Sequence, residues 1–176
     1  INKGLKKCSG DIIGILNSDD YYYKNTFQIV SNYFTKEKLD YLFGSVRHKR
    51  LYHGFYPKKI WFKLNVYPSH SVSFFIKKET QNKVGFYNTK IKYSSDRDLI
   101  YKLIKKKKIG IATKRSEVFG KFSTYGISSK LSKFLTLHDE YKVRKNNGQN
   151  FFFIIFLLSI RSIYSYLINM GRFRNN

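Results

Sequence analysis

Only eleven acidic residues stand among 34 lysines and arginines, a formal net charge of +23, and four of them fall into two pairs. Asp19 and Asp20 are adjacent and end the apolar run at 11–16 through Asn17-Ser18. Asp96 and Asp98 sit two apart, just before the apolar residues Leu99, Ile100, Leu103 and Ile104. Two like charges ~4 Å apart repel by about 4 kcal/mol at an effective dielectric of 20. A divalent cation reverses that sign, and hard oxygen donors suit Mg2+ or Mn2+, which commonly hold substrate phosphates as well. The end of a strand in an open α/β sheet is also where ligands bind. Asn17-Ser18-Asp19-Asp20 is also good turn and N-cap chemistry, and composition alone favours that reading. For the second pair, negative charge at a helix start gains ~0.3–1 kcal/mol from the dipole, which is the reading for Asp98. Asp96 is open to a second one, a general base projecting into a cleft.

Elements must position these residues. The run 11–16, apolar between turn signals, has the form of a buried strand. Phe27, Val30, Tyr33 and Phe34 recur at helical spacing and predict an amphipathic helix over about 25–35. Residues 41–46 read as a second strand, so strand, loop, helix and strand suggest a βαβ unit with a parallel sheet. The stretch 47–67 is basic and aromatic without a clean period and reads as loops and short strands. Residues 71–76 form a further strand candidate, followed by a short helix and a turn around Gly85. Ser95 opens the helix of Leu99 and Leu103, and Asp98 three residues on has the spacing of a capping box. Residues 109–113 are a last strand candidate, and 2–9 read as the end of a helix stopped by Gly10.

A chain of 176 residues suits one domain and buries roughly 70% of its unfolded surface. With 42% hydrophobic and 18% aromatic residues, a disordered polyelectrolyte is excluded. Cys8 is the single cysteine, so there is no internal disulfide and no zinc-type spacing. The chain starts at Ile1 with no signal peptide before it, which suggests a start inside something larger. The positive charge fits a partner carrying phosphates, whether nucleic acid, nucleotide or anionic membrane, although A/T-rich codon usage would enrich the same residue types. After Glu140 there are six bases and no acid. The apolar run 151–160 is shorter than the ~20 residues that span a bilayer, and Ile163, Tyr166, Leu167 and Met170 continue it at helical spacing. An amphipathic helix at a membrane surface is one reading, and a C-terminal helix packed on the domain is the other.

Six segments in order resemble a family 2 glycosyltransferase of the GT-A fold, in its bacterial surface-polysaccharide branch. Asn2-Lys3-Gly4 with 9–20, Ser-Gly-Asp-Ile-Ile-Gly-Ile-Leu-Asn-Ser-Asp-Asp, resembles its NKG…GDIIGFLNSDD stretch. Pro68-Ser69-His70-Ser71 and the following Phe74-Phe75 resemble the P-x-H-Q-x-x-F strand, with Ser71 for Gln. Val84-Gly85-Phe86 resembles the VGxF turn, and Ser95-Asp96-Arg97-Asp98-Leu99 the ADYDL segment. Val118 to Phe122 with Tyr125-Gly126-Ile127-Ser128-Ser129 resembles the closing F…GGxSS element, with Tyr125 for Gly. Asn17 stands where many relatives carry an acid.

The resemblance implies inverting transfer of a sugar from a nucleotide-diphosphate donor, a UDP-sugar by expectation, to an acceptor hydroxyl on a glycan or lipid-linked acceptor in cell-surface polysaccharide synthesis. It implies Asp96 as catalytic base, Asn17, Ser18, Asp19, Asp20 and His70 at the donor, and Asp19 and Asp20 on Mn2+ or Mg2+. His70 has the alternative of an ordinary strand-end histidine. The expected architecture is α/β: residues 1–135 as the C-terminal part of a GT-A domain with a mixed sheet, lacking its first nucleotide-binding strands, and 136–176 as a basic, apolar helical tail. The expected location is the cytoplasm, at the inner face of the membrane if the tail docks there. Two readings of other classes stand beside this one. One is a non-catalytic basic module on anionic membrane or nucleic acid, although no nucleic-acid motif surrounds Arg47, Lys49, Arg50 and Tyr52. The other is an inactive gene remnant.

Overall fold

In the computed structural model, residues 1–123 and 131–173 are described, with 168–173 as backbone alone. Tyr125 to Ser129 of the closing segment lie outside them. The chain runs α1 (Asn2–Lys7), β1 (Ile12–Gly14), β2 (Tyr21–Tyr22), α2 (Thr26–Lys36), β3 (Tyr41–Phe43), β4 (Ser45–Arg47) and β5 (Leu51–Tyr52). It continues through 3-10 turns at Pro57–Lys59 and Ser71–Ser73 to β6 (Phe74–Lys77), α3 (Lys78–Val84), α4 (Ser95–Lys105), β7 (Gly110–Ala112) and β8 (Val118–Lys121). Two further helices, α5 (Lys133–Asn146) and α6 (Phe151–Phe173), follow.

Among the described residues the strands form two four-stranded sheets, ordered β1-β6-β3-β7 and β2-β8-β4-β5. The expected parallel neighbours β1 and β3 share a direction but do not touch, because β6 lies between them and is antiparallel to both. Phe74, Phe75 and Ile76 are apolar on both faces, which suits a central strand rather than an edge. The expected single strand at 41–46 is two strands in two sheets, split at Gly44. There a Cβ would come within 2.3 Å of the Phe119 ring, so only glycine lets the chain cross between sheets at that point.

Side-chain alternation along the strands divides the core. Leu42 and Phe75 face one layer with Val30 of α2, Leu39 and Phe119. Their neighbours Tyr41, Phe43, Phe74 and Ile76 face the other, against Val84, Leu99, Ile100 and Leu103 of α3 and α4. Val143 of α5 is buried in that same layer.

The capping box at Ser95 and Asp98 does not form. Ser94 is the N-cap residue of α4, and Asp98 turns inward, where Asn147 Nδ2 donates to it at 2.8 Å and Lys102 Nζ lies 2.6 Å away. A buried carboxylate with a cation one turn along gains more from that pair than from an exposed cap. Similarly, α1 ends at Lys7 with an extended Cys8, before Gly10. Among the described residues, no helix is long and apolar enough to cross a membrane.

Candidate active site

Because Gly14 pairs with Phe75, the loop leaving β1 and the segment entering β6 emerge at the same end of the sheet. The loop closes as a turn in which Asp20 N–H donates to Asn17 O at 3.2 Å. Asn17 Nδ2 donates to Asp20 Oδ2 at 2.9 Å and to Ser71 Oγ at 3.0 Å, joining the loop to the entry of β6. Asp20 is buried, and its second oxygen accepts from Ser123 N–H at 3.1 Å. Ser18 and Asp19 are exposed.

Entry to β6 passes through Ser69 in the left-handed region, φ 51°, which for a non-glycine residue marks a constrained bend. His70 follows, its ring stacked on Phe122 at 4.1 Å between centroids. Its Nδ1 accepts from Val72 N–H at 3.5 Å, which assigns the proton to Nε2, and Nε2 stands 3.7 Å from Asp20 Oδ2. Burial lowers the His70 pKa below its ordinary 6.5, outweighing the opposing pull of Asp20, Asp19 and Asp96. The imidazole is therefore neutral at pH 7 and keeps an N–H to donate.

The opposite wall is the first turn of α4, held in place by buried Leu99, Ile100 and Asp98. Tyr67 hydroxyl donates to Asp96 Oδ2 at 2.7 Å. Burial, reinforced by the Asp96 charge, pushes the Tyr67 pKa well above its ordinary range, so this hydroxyl stays protonated and remains the donor. Tyr87 is pushed up for the same two reasons, and Asn2 clamps its backbone through bonds of 2.8 and 3.1 Å.

These walls enclose a cleft of about 330 Å³, onto which Asn17, Tyr67, Ser69, His70, Tyr87, Asp96 and Arg97 open. Of the residues singled out from sequence, Asn17, His70 and Asp96 line it directly. Asp20 lies behind His70 and Asn17, while Ser18 and Asp19 are outside its lining. Tyr67, Tyr87, Arg97 and Phe122 were missed. Arg97 adjoins Asp96, but no local pattern marks an isolated tyrosine as the donor to a carboxylate 29 residues away.

For a hard divalent cation the donor set is small but chemically suitable. Asp19 offers an exposed carboxylate beside Asp20, whose oxygens accept hydrogen bonds yet retain lone pairs. One or two carboxylates completed by water and substrate phosphate is the usual Mg2+ arrangement, and these residues fit it. Among the described residues no group of three or more His, Cys, Asp or Glu forms an all-protein metal cage.

A family model described as glycosyl transferase family 2 matches residues 1–96. Among solved structures, Staphylococcus aureus TarS 1–349 in complex with UDP-GlcNAc is similar at 14% identity and TM-score 0.60, over 83% of this chain and 44% of that one. TarS 1–349 in a second structure gives 13% identity and TM-score 0.56, over 83% and 42%. The chain thus spans under half the length of these structures, and at such identity the likeness is one of fold. A comparison with curated proteins returns no match.

Proposed function

The chain belongs to glycosyl transferase family 2 and has a GT-A fold, and from that premise we propose that it transfers a sugar, with inversion, from a nucleotide-diphosphate donor to an acceptor hydroxyl. The observation that carries this reading is the Asp96 carboxylate, which opens onto a cleft shared with Asn17 and His70 and is oriented by a tyrosine that stays protonated. Asp96 accepts the acceptor's hydroxyl proton as that oxygen attacks the anomeric carbon, and the bond from that carbon to the diphosphate breaks on the opposite face. With Tyr67 on one oxygen, Asp96 has its remaining lone pairs for that proton, and its direction is fixed.

Neutral His70, on the far wall, has its Nε2–H to offer the diphosphate, Asn17 braces the receiving loop with both amide hydrogens on Asp20 and Ser71, and Ser18 completes that loop. Asp19 and Asp20 would hold Mn2+ or Mg2+, which supplies charge compensation for the departing diphosphate. The UDP-GlcNAc bound to the TarS neighbour supports a UDP-sugar as donor. A glycan or lipid-linked acceptor in surface polysaccharide synthesis fits the branch that the sequence resembles. Residues 1–135 carry this chemistry, and the rest of α5 with α6 follows as the helical tail, packed on the domain through Val143, Arg144 and Asn147.

The test is UDP release from UDP-sugars with Mn2+ in the presence of glycan acceptors, comparing the native chain with Asp96→Asn. The variant is expected to lose at least about 100-fold in rate, within the range of general-base contributions, while melting at the same temperature. Transfer at native rate by folded Asp96→Asn overturns the assignment of the base.

A further inference from the structure

We propose that the outward face of α6, together with the adjoining 57–63 loop, is a docking surface for an anionic lipid bilayer. The inference stands on the C-terminal helices and that loop and does not depend on the catalytic reading.

The helix is amphipathic in the unusual sense. Its inward stripe is narrow, with Ile154 and Leu157 buried and Arg161 half-buried. Its outward side carries Phe152, Phe156, Ile163 and Leu167, exposed by 79%, 59%, 59% and 58%, at offsets of 4, 11 and 15 residues, which is one helical face. Tyr164 and Tyr166 flank that stripe. A contiguous apolar face of this kind marks an interaction site rather than ordinary surface.

The orientation is held by buried polar bonds. Glu140 of α5 is paired with Arg144 and Arg161. Arg144 also donates to Trp61 O and Phe62 O, and Arg161 to Phe62 O. Rotating α6 to hide its phenylalanines would pull Arg161 off the buried Glu140 carboxylate and off Phe62 O.

The same bonds bring the 57–63 loop alongside. Phe62 meets Phe153 edge to face, with ring centroids 5.7 Å apart. Trp61 and Phe62 are exposed, as are Lys58, Lys59 and Lys63 around them. An amphipathic aromatic beside lysines is the side-chain chemistry of the membrane–water interface. Between α5 and α6 runs an apolar groove of about 450 Å³, lined by Leu131, Leu137 and Tyr166 with Lys133 and Arg161 at its polar edge, which matches an acyl chain and its phosphate.

Charge selects the occupant. The α5 carboxylates point inward, Asp139 onto the Tyr93 N–H and Glu140 between two arginines, and no acid follows Glu140 in the sequence. The face therefore presents cations and apolar groups to its partner. A second copy of the chain would bring the same lysines against these, whereas an anionic bilayer complements both parts at once.

The experiment is co-sedimentation of the chain with vesicles of about 30% phosphatidylglycerol in phosphatidylcholine, set against pure phosphatidylcholine, with sedimentation velocity in the absence of lipid. Expected are binding to the anionic vesicles, roughly ten-fold or more weaker binding to the neutral ones, and loss of at least about ten-fold in Phe152→Glu/Phe156→Glu. Both substituted residues are exposed, so the native melting temperature is retained. Lys58→Glu/Lys59→Glu, which leaves the apolar stripe intact, is expected to weaken anionic binding alone. No association with anionic vesicles overturns the proposal, as does undiminished association by the folded phenylalanine variant. A dimer that the same variant dissociates, without lipid binding, assigns the face to a second copy and also overturns it.

Discussion

Replacing Arg144 by methionine removes a fully buried guanidinium and leaves its partners behind. Arg144 Nε donates to Glu140 Oε1 at 2.8 Å, Nη1 to Trp61 O at 2.7 Å and Gln149 Oε1 at 2.8 Å, and Nη2 to Phe62 O at 3.1 Å. Breaking a buried ion pair from one side costs about 3–5 kcal/mol, mostly because the other charge is stranded. Here the stranding is incomplete. Arg161 still pairs with Glu140 and bonds Phe62 O, and Gln149 Nε2 still donates to Trp61 O at 2.8 Å. The low end of that range applies, about 3 kcal/mol, and at 2–4 °C per kcal/mol for a chain of this size the melting temperature falls by roughly 6–12 °C. Denaturant and thermal unfolding of Arg144→Met, Glu140→Gln and the double variant measure it as a cycle. The double variant should be less destabilised than the sum of the singles by at least about 1 kcal/mol, since it strands neither Glu140 nor the fully buried Arg144 and leaves only the half-buried Arg161 without its carboxylate. A cost below about 1 kcal/mol for Arg144→Met would refute the reasoning, because the network would then add little to the docking of α5 and α6.

Three further outcomes are expected. Tyr67→Phe removes the hydroxyl that orients Asp96 and should lower kcat about ten-fold, the worth of one hydrogen bond to a charged group, with KM for the donor unchanged; an equal rise in KM would place Tyr67 in donor binding instead. Leu42→Ala, at a position with no exposure between α2 and the sheet, should cost about 2–5 kcal/mol by unfolding titration, and a cost under 1 kcal/mol would mean that the strand is not central. His70 has a pKa below 6.5 in the fold, so just below that pH the unfolded chain binds more protons and stability falls as pH falls. His53 is lowered too, by burial and then Arg115, so His70→Asn should reduce, without abolishing, the loss of stability between about pH 7 and pH 5.5. An unchanged slope would show that His70 is not held neutral.

Legibility of the fold followed the range of each signal. The α2 helix could be read from the spacing of Val30, Tyr33 and Phe34, and the strands from short apolar runs, because these patterns are local. The order of the sheet was not, since nothing near residues 11–16 or 41–46 announces that residues 74–77 will lie between them. Gly44 looked like one more residue of a strand, and only Phe119, 75 positions later, explains why the chain must break there. At the site, the loop of Asn17 and Asp20, His70 and Asp96 stood out by residue type and motif order. Tyr67 and Phe122 act through contacts that the chain makes only once folded, so no spacing encodes them.

Acidic residues also explain why sequence alone could not tell a structural carboxylate from a chemical one. With 11 acids against 34 bases, a fold can neutralise nearly every carboxylate it buries. Asp98 does so with Lys102 and Asn147, and Glu140 with Arg144 and Arg161. Asp96 lies two residues from Asp98 and shares its helix turn, yet its hydrogen bond comes from a hydroxyl that cannot ionise at neutral pH. Asp98 is closed off inside its buried ion pair, whereas Asp96 keeps lone pairs open to the cleft. The two aspartates are thus distinguished by which way a 100° step per residue turns them, inward to Lys102 or outward to Tyr67 and the cleft, and that difference exists only once α4 is packed on its sheet.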